Sequence, residues 1–344
     1  MRAAIITAPD KTEISDVPTP EIGHKDVLVR IRACGICGSD TMYISIGGLP
    51  PRHGCMPIGH EPAGEVVQVG GDVRDIAVGD RAVVNPMAIA DDIIGNGGST
   101  GALADYLLIK DAIRGQSLEV VPDHVPYEVA ALNEPMAVAL HAVNQVAPRT
   151  NDQVLVLGAG PIGLGITIAL KSRGVKHVVV ADILPSRLEK ALKVGADAVI
   201  NSRDEDVVAR LIELHGPGDS MWPNKAGTDV FLDAAGVPAA VDTALAAAKR
   251  GAKLGVVAVH KEPIGIDFMN VMSNELTIIG SMGYPTEIFE VTKDIIDNWE
   301  KYQLIISHTF DFADLDQALQ CVATPGAADK VVITMRGDDV VKQG

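Results

Sequence analysis

A chain of 344 residues, 47% hydrophobic and 22% charged, is long enough for two hydrophobic cores and reads as a globular protein. Its net charge of −16 argues against nucleic acid or an anionic membrane as partner, and no apolar run reaches the length of a bilayer span. No basic-then-apolar leader opens the chain, and four cysteines (Cys34, Cys37, Cys55 and Cys321) do not make a disulfide framework, so a reducing cytoplasm is the expected location.

From Met1 to about Lys110 the pattern is β-rich. Arg2–Thr7, Val27–Ala33, Gly64–Gly70, Asp80–Val84 and Ala104–Ile109 are short branched runs punctuated by Gly, Pro and Asp, and no helical stretch interrupts them. A small, partly closed β-barrel or sandwich is predicted. Helical spacing takes over at Glu134–Val146 and stops before Pro148. From Asn151 to about Ser281 strands and helices alternate. Strands are predicted at Val154–Leu157, His177–Asp182, Ala198–Ile200, Thr228–Asp233, Lys253–Val259 and Leu276–Gly280. The intervening helices are Ile162–Leu170, Pro185–Val194, Glu205–His215 and Pro238–Ala248. Six strands with crossover helices make a doubly wound parallel sheet, so the fold class is α/β. Beyond Tyr284, two helices (Glu287–Asn298 and Leu315–Val322) and a last strand, Lys330–Thr334, are expected to return to the first domain. The domains are thus 1–150 with 285–344, and 151–284. Gly216–Gly227, with Trp222 among its Pro and Gly residues, reads as a surface loop.

The strand Val154–Leu157 runs directly into Gly158-x-Gly160-Pro161-Ile162-Gly163 and a helix, the context that a dinucleotide fingerprint requires. The first glycine permits the turn, the second lets backbone approach a pyrophosphate, and the third lets helix and strand pack closely. Free N–H groups and the positive end of the helix dipole favour the phosphates. The second strand ends in Asp182, where an acid accepts hydrogen bonds from the adenosine ribose and repels a 2′-phosphate. NAD is therefore favoured over NADP. Arg187 either edges the adenine site or softens that preference, and Asp182 has the plainer alternative of capping the helix near Pro185. Gly236, Val257, Val259, Ser281 and Met282 fall at strand ends on the carboxyl edge of the sheet, where nicotinamide belongs.

A second constellation lies in the β-rich half: Cys37-Gly-Ser39-Asp40, then His60-Glu61, then Asn133-Glu134 at the start of the connecting helix. Thiolate, imidazole and carboxylate together suit zinc, with one position open for substrate. Taken singly, Cys37 could be a buried thiol, His60-Glu61 a salt-bridged turn and Glu134 a helix-terminus acid. Cys34 is three positions before Cys37, a spacing that can hold a metal or a redox disulfide, but it is expected to face the core; His53 and Cys55 are spare candidates.

With these motifs, Gly79-Asp80-Arg81 and the glycine fingerprint in order, nearly the whole chain resembles the zinc-dependent medium-chain dehydrogenase/reductase family, most of all its sorbitol and butanediol dehydrogenase branch. The resemblance implies a GroES-like catalytic domain beside a Rossmann domain. It also implies one catalytic zinc held by Cys37, His60 and Glu61, with Glu134 binding directly or through water. Hydride would pass between a secondary alcohol, diol or polyol and NAD. Ser39 would move the substrate proton, Asp40 would orient His60, Tyr43 and Glu134 would touch substrate, and Lys330 would be structural. Family members commonly form dimers or tetramers. Two departures stand out. Asp80–Ala104 contains no cysteine, which excludes a thiolate-bound structural zinc. Met42 stands where the branch pattern has a relay histidine, so the relay must end in solvent, on the cofactor ribose or on another group. Substrate identity rests on loops such as Tyr43–Arg52 and Asp91–Gly101. Two rival functions are a metal-free NADPH-dependent quinone or enone reductase and a non-catalytic NAD(H) sensor. Either would leave Cys37, His60 and their neighbours without purpose.

Overall fold

A computed structural model describes residues 1–88 and 92–335; Asp91, which opens one of the expected substrate loops, and the tail beyond Met335 lie outside the described residues. The chain divides into two compact units, Met1–Glu134 with Ile288–Gly344, and Pro135–Glu287. The breaks at 150/151 and 284/285 read from sequence therefore shift, because the helix Asn133–Val146 packs largely with the second unit. A Cβ on Gly165 of the fingerprint helix would meet Met136 Sδ at 2.6 Å and Ala139 Cβ at 3.0 Å, so the two helices touch where only glycine fits.

The first unit is built on Val27–Ile36, a ten-residue strand buried along most of its length. Its seven-stranded sheet runs Ile306–Asp311, Lys330–Thr334, Val27–Ile36, Glu61–Val69, Arg81–Val84, Leu118–Val120, with Tyr106–Ile109 also pairing with Val27–Ile36. A smaller sheet sets Arg2–Ala8 between Lys11–Asp16 and Met56–Pro57. Val29, Ile31, Ile58, Leu103, Leu107 and Ile333 form the centre of the core. The last strand does return here, pairing antiparallel with Ile333 opposite Cys34. One expectation fails: a helix, Gly38–Ser45, interrupts the β-rich half. Its apolar periodicity is weak, and a polar cap starts it instead. Cys37 holds an extended backbone (φ −97°, ψ 154°), and the Asp40 carboxylate accepts the Cys37 N–H at 2.9 Å.

The second unit is a six-stranded parallel sheet in the order Ala198–Asn201, His177–Asp182, Gln153–Leu157, Val230–Asp233, Lys253–Val256, Thr277–Gly280. Numbered locally this is 3-2-1-4-5-6, whose order reverses between Gln153–Leu157 and Val230–Asp233 and opens a crevice at their carboxyl ends. Runs of valine, leucine and phenylalanine buried on both faces form the inner strands. Lys253–Val256 stops three residues earlier than expected. Val257 N–H and Ala258 N–H both turn to the carbonyl of Asp233, at 3.1 Å each, and leave the ladder.

Candidate functional site

In the first unit, Val27–Ile36 delivers Cys37 to a helix N-terminus, while the neighbouring strand Glu61–Val69 begins at the other two ligand candidates. Ligand atoms of Cys37, His60 and Glu61 all lie within 4.8 Å of one another, with His60 and Glu61 buried and Cys37 partly exposed. Glu134 is also buried, but it is outside this group. Asp40 is buried beneath the cluster, its Oδ1 3.5 Å from His60 Nδ1, and among the described residues neither atom has a hydrogen-bond partner. With Nδ1 turned to Asp40, Nε2 is the ring nitrogen left to face a metal.

The electrostatics of the cluster are those of a site short of positive charge. Burial alone would lower the His60 pKa, but the Asp40 carboxylate and the Cys37 sulfur outweigh it and raise the imidazole well above its ordinary value. Burial raises the Asp40 carboxyl, and His60 and the Cys37 N–H more than reverse that, leaving it lowered. Burial and the charge of Glu61 push the Cys34 thiol far up; Cys34 is a core residue and no part of the ligand group. His53 and Cys55 are exposed and also stay apart. Two carboxylates, a thiol and a ring drawn toward protonation suit a soft dication such as zinc.

Lys330 gives the cluster a feature that no motif announced. Its Nζ donates to Glu61 Oε1 at 2.5 Å, makes an ion pair with Oε2, and donates to the Ile36 carbonyl at 2.9 Å. Burial would lower the ammonium pKa; Glu61 and Cys37, with a contribution from Glu134, raise it, so Lys330 stays charged. Glycine at position 35 is required by the same pair, because a Cβ there would overlap Glu61 Oε2. The partners are 269 positions apart, which is why local sequence carries no sign of them. Tyr43 hydroxyl donates to Asn96 Oδ1 at 3.1 Å. Met42 is exposed.

In the second unit the fingerprint has the expected form. Gly158 has φ +97° and lies against Ala234 and Ala235; a Cβ on Gly163 would overlap the Gly158 carbonyl oxygen; above Gly160 there is open space. The helix Pro161–Ser172 starts with proline at N1, and its first internal hydrogen bond comes from Leu164 N–H, so earlier N–H groups are free for an anion. Asp182 is buried beside this turn, accepting from Ala159 N–H at 2.7 Å and Leu184 N–H at 2.9 Å. Each carboxylate oxygen keeps a lone pair for a ribose hydroxyl. Arg187 lies in the first turn of Pro185–Val194. At the strand ends, Gly236 has φ +69°, Val257 is partly buried, and Val259 and Met282 are 80% and 92% exposed. Ser281 Oγ is buried without a partner, an orphan of the kind that a bound amide or hydroxyl satisfies. These residues fit a dinucleotide.

Residues 23–116 match the family model of the alcohol dehydrogenase GroES-like domain, and residues 161–298 match that of the zinc-binding dehydrogenases. The chain belongs to the zinc-dependent medium-chain dehydrogenase/reductase family and is an alcohol dehydrogenase, an oxidoreductase that passes hydride between a small-molecule alcohol and a nicotinamide cofactor. Its likeness falls on the sorbitol and butanediol dehydrogenase branch. Sorbitol dehydrogenase of Bacillus subtilis is 32% identical over 322 residues, covering 86% of this chain and 87% of that protein. An L-threonine 3-dehydrogenase of Aeromonas hydrophila is 31% identical over 341 residues, covering 93% and 95%. Among solved structures, 2R,3R-butanediol dehydrogenase from Bacillus subtilis superposes with a TM-score of 0.85 at 26% identity, covering 97% of this chain and 99% of its own.

Proposed function

We propose that this dehydrogenase oxidises secondary alcohols, with diols and polyols as its substrate class, using NAD and a single catalytic zinc per subunit. The observation that carries the proposal is the convergence of Cys37, His60 and Glu61 on one buried point with an excess of negative charge around it. Zinc at that point supplies Lewis acidity to an alcohol oxygen, and nicotinamide supplies the hydride acceptor.

The protein's own contributions follow from position. Cys37, fixed as a helix cap, and His60, fixed through Asp40, are rigid ligands. Glu61 is a ligand whose charge Lys330 shares, and Glu134 completes the set directly or through water. Ser39 receives the substrate proton and passes it outward, through solvent or the cofactor ribose, since Met42 cannot carry it. Tyr43 and Asn96 give the substrate side a polar wall, which suits a molecule with a second hydroxyl. The cofactor is received by Gly158, Gly160, Pro161, Ile162 and Gly163 at its phosphates and by Asp182 at its adenosine ribose, with Arg187 at the adenine edge. Gly236, Val257, Val259, Ser281 and Met282 shape the nicotinamide side. A cytoplasmic homodimer or homotetramer is the assembly that accords with this reading.

The test is a panel of alcohols, diols, polyols and amino alcohols with NAD⁺ and NADP⁺, run beside metal analysis of the purified protein and of Cys37→Ser. One equivalent of zinc, turnover of vicinal diols or polyols with NAD⁺, and loss of turnover in the variant with NADH binding intact are expected. Full turnover by Cys37→Ser, or by protein stripped of metal, would refute the proposal.

A further inference from the structure

Asp233, at the carboxyl end of Val230–Asp233, is fully buried and serves two loops at once. Its Oδ1 accepts Ala235 N–H at 3.0 Å and Gly236 N–H at 3.1 Å, holding the loop that leaves its own strand. Its carbonyl accepts Val257 N–H and Ala258 N–H, which begin the loop leaving the next strand. Its Oδ2 is taken by His260 Nε2 at 2.6 Å, so the second loop is tied down at its far end too. A Cβ on Gly236 would come within 2.8 Å of the Val259 carbonyl oxygen, which shows how closely the two loops lie. They also adjoin the fingerprint, since Gly158 packs against Ala234 and Ala235.

This position relative to the reversal of strand order matters. Asp182 belongs to the half of the sheet on one side of the crevice, and in such a sheet each half receives one mononucleotide. Asp233 and His260 belong to the other half, which takes the nicotinamide mononucleotide. Val259, next to His260, is 80% exposed, so apart from the imidazole the outer part of this loop has little burial to fix it.

We propose that the Asp233–His260 pair is a latch that positions the two loops receiving the nicotinamide ribose, making His260 a positioning residue for that half of the cofactor. Nothing in the glycine fingerprint or the metal motifs assigns a role to either residue. The inference rests on the proposed use of NAD, and it predicts a particular pattern of affinity across fragments of the cofactor.

The experiment is calorimetric titration of the full-length protein with NADH, ADP-ribose and AMP, using wild type, His260→Ala and His260→Gln. Loss of one charge-assisted hydrogen bond should weaken NADH and ADP-ribose by about 10-fold in His260→Ala. AMP, which occupies only the adenosine half, should bind within about twofold of wild type, which also reports that the variant is folded. Glutamine keeps an N–H donor for Asp233, and His260→Gln should recover most of the lost affinity. Unchanged NADH and ADP-ribose affinity in His260→Ala, an equal loss for AMP, or no recovery with glutamine would each overturn the latch. A wild-type protein that binds neither NADH nor ADP-ribose would remove the cofactor reading itself, and the latch with it.

Discussion

Replacing Lys330 by methionine tests the charge arrangement at the candidate metal centre directly. The ammonium and the Glu61 carboxylate are both buried, at 5% and 0% side-chain exposure, so water screens neither. Removing one partner of such a pair leaves the other charged and unpaired, which costs about 3–5 kcal/mol. For a unit of this size each kcal/mol moves the unfolding midpoint by about 2–4 °C, so Lys330→Met should unfold roughly 6–20 °C below wild type in the presence of a chelator. Saturating zinc should shrink the gap, because a dication then neutralises Glu61. Lys330→Met combined with Glu61→Met restores an uncharged, packed pair and should recover most of the loss in chelator. Thermal unfolding followed by circular dichroism, with chelator and with zinc, measures all three. A Lys330→Met protein that melts with wild type in chelator would refute the reasoning, as would a double variant no more stable than the single one.

Two further outcomes follow from buried groups in the second unit. His215 is packed edge-on against His177, its Nδ1 2.8 Å from Thr228 Oγ1, and burial followed by the neighbouring imidazole lowers its pKa to about 4. The unfolded chain, titrating near 6.5, binds the proton that the folded chain refuses. Stability is therefore complete above about pH 6.5 and falls by about 3 kcal/mol as pH drops to about 4. Urea unfolding across that range should show His215→Asn with a flatter profile, and parallel profiles would remove the assignment. Asp182→Asn deletes the charge and leaves one acceptor oxygen for the two N–H groups of Ala159 and Leu184, and the preference for NAD⁺ over NADP⁺ in kcat/KM should fall by about 10-fold or more; an unchanged ratio would show that Asp182 does not set it.

What could be read from the sequence divides along physical lines. The buried parallel strands were legible because short continuous apolar runs rich in valine between turn residues have few other uses. The helix Pro185–Val194 was legible to the residue because proline starts it and Gly195, at φ +121°, ends it. The strand Lys11–Asp16 was not, since it is a largely exposed edge whose polar residues carry no alternation, and Met56–Pro57 is only two residues long. The helix Gly38–Ser45 was hidden by its polar composition, although its cap was in view as Cys37 and Asp40. In the site, residues adjacent in the chain were found together, as Cys37-Ser39-Asp40 and His60-Glu61. Lys330 with Glu61 and His260 with Asp233 were missed as pairs, because each joins positions far apart whose meeting is a property of the sheet.

The same distance between Lys330 and Glu61 has a consequence for when the site can exist. Glu61 begins the strand Glu61–Val69, and an isolated carboxylate there would be buried beside the Cys37 sulfur at a cost of several kcal/mol. Its counter-charge arrives only with Lys330–Thr334, the last strand described, which pairs with the strand that carries Cys34 and leads into Cys37. Nζ of Lys330 then bonds both Glu61 and the Ile36 carbonyl, one residue before Cys37. Docking of the final strand thus supplies the counter-charge of Glu61 and fixes the backbone next to Cys37. Zinc binding at Cys37, His60 and Glu61, as proposed, would be coupled to the closing of the first unit, and the dependence of Lys330→Met on zinc measures that coupling.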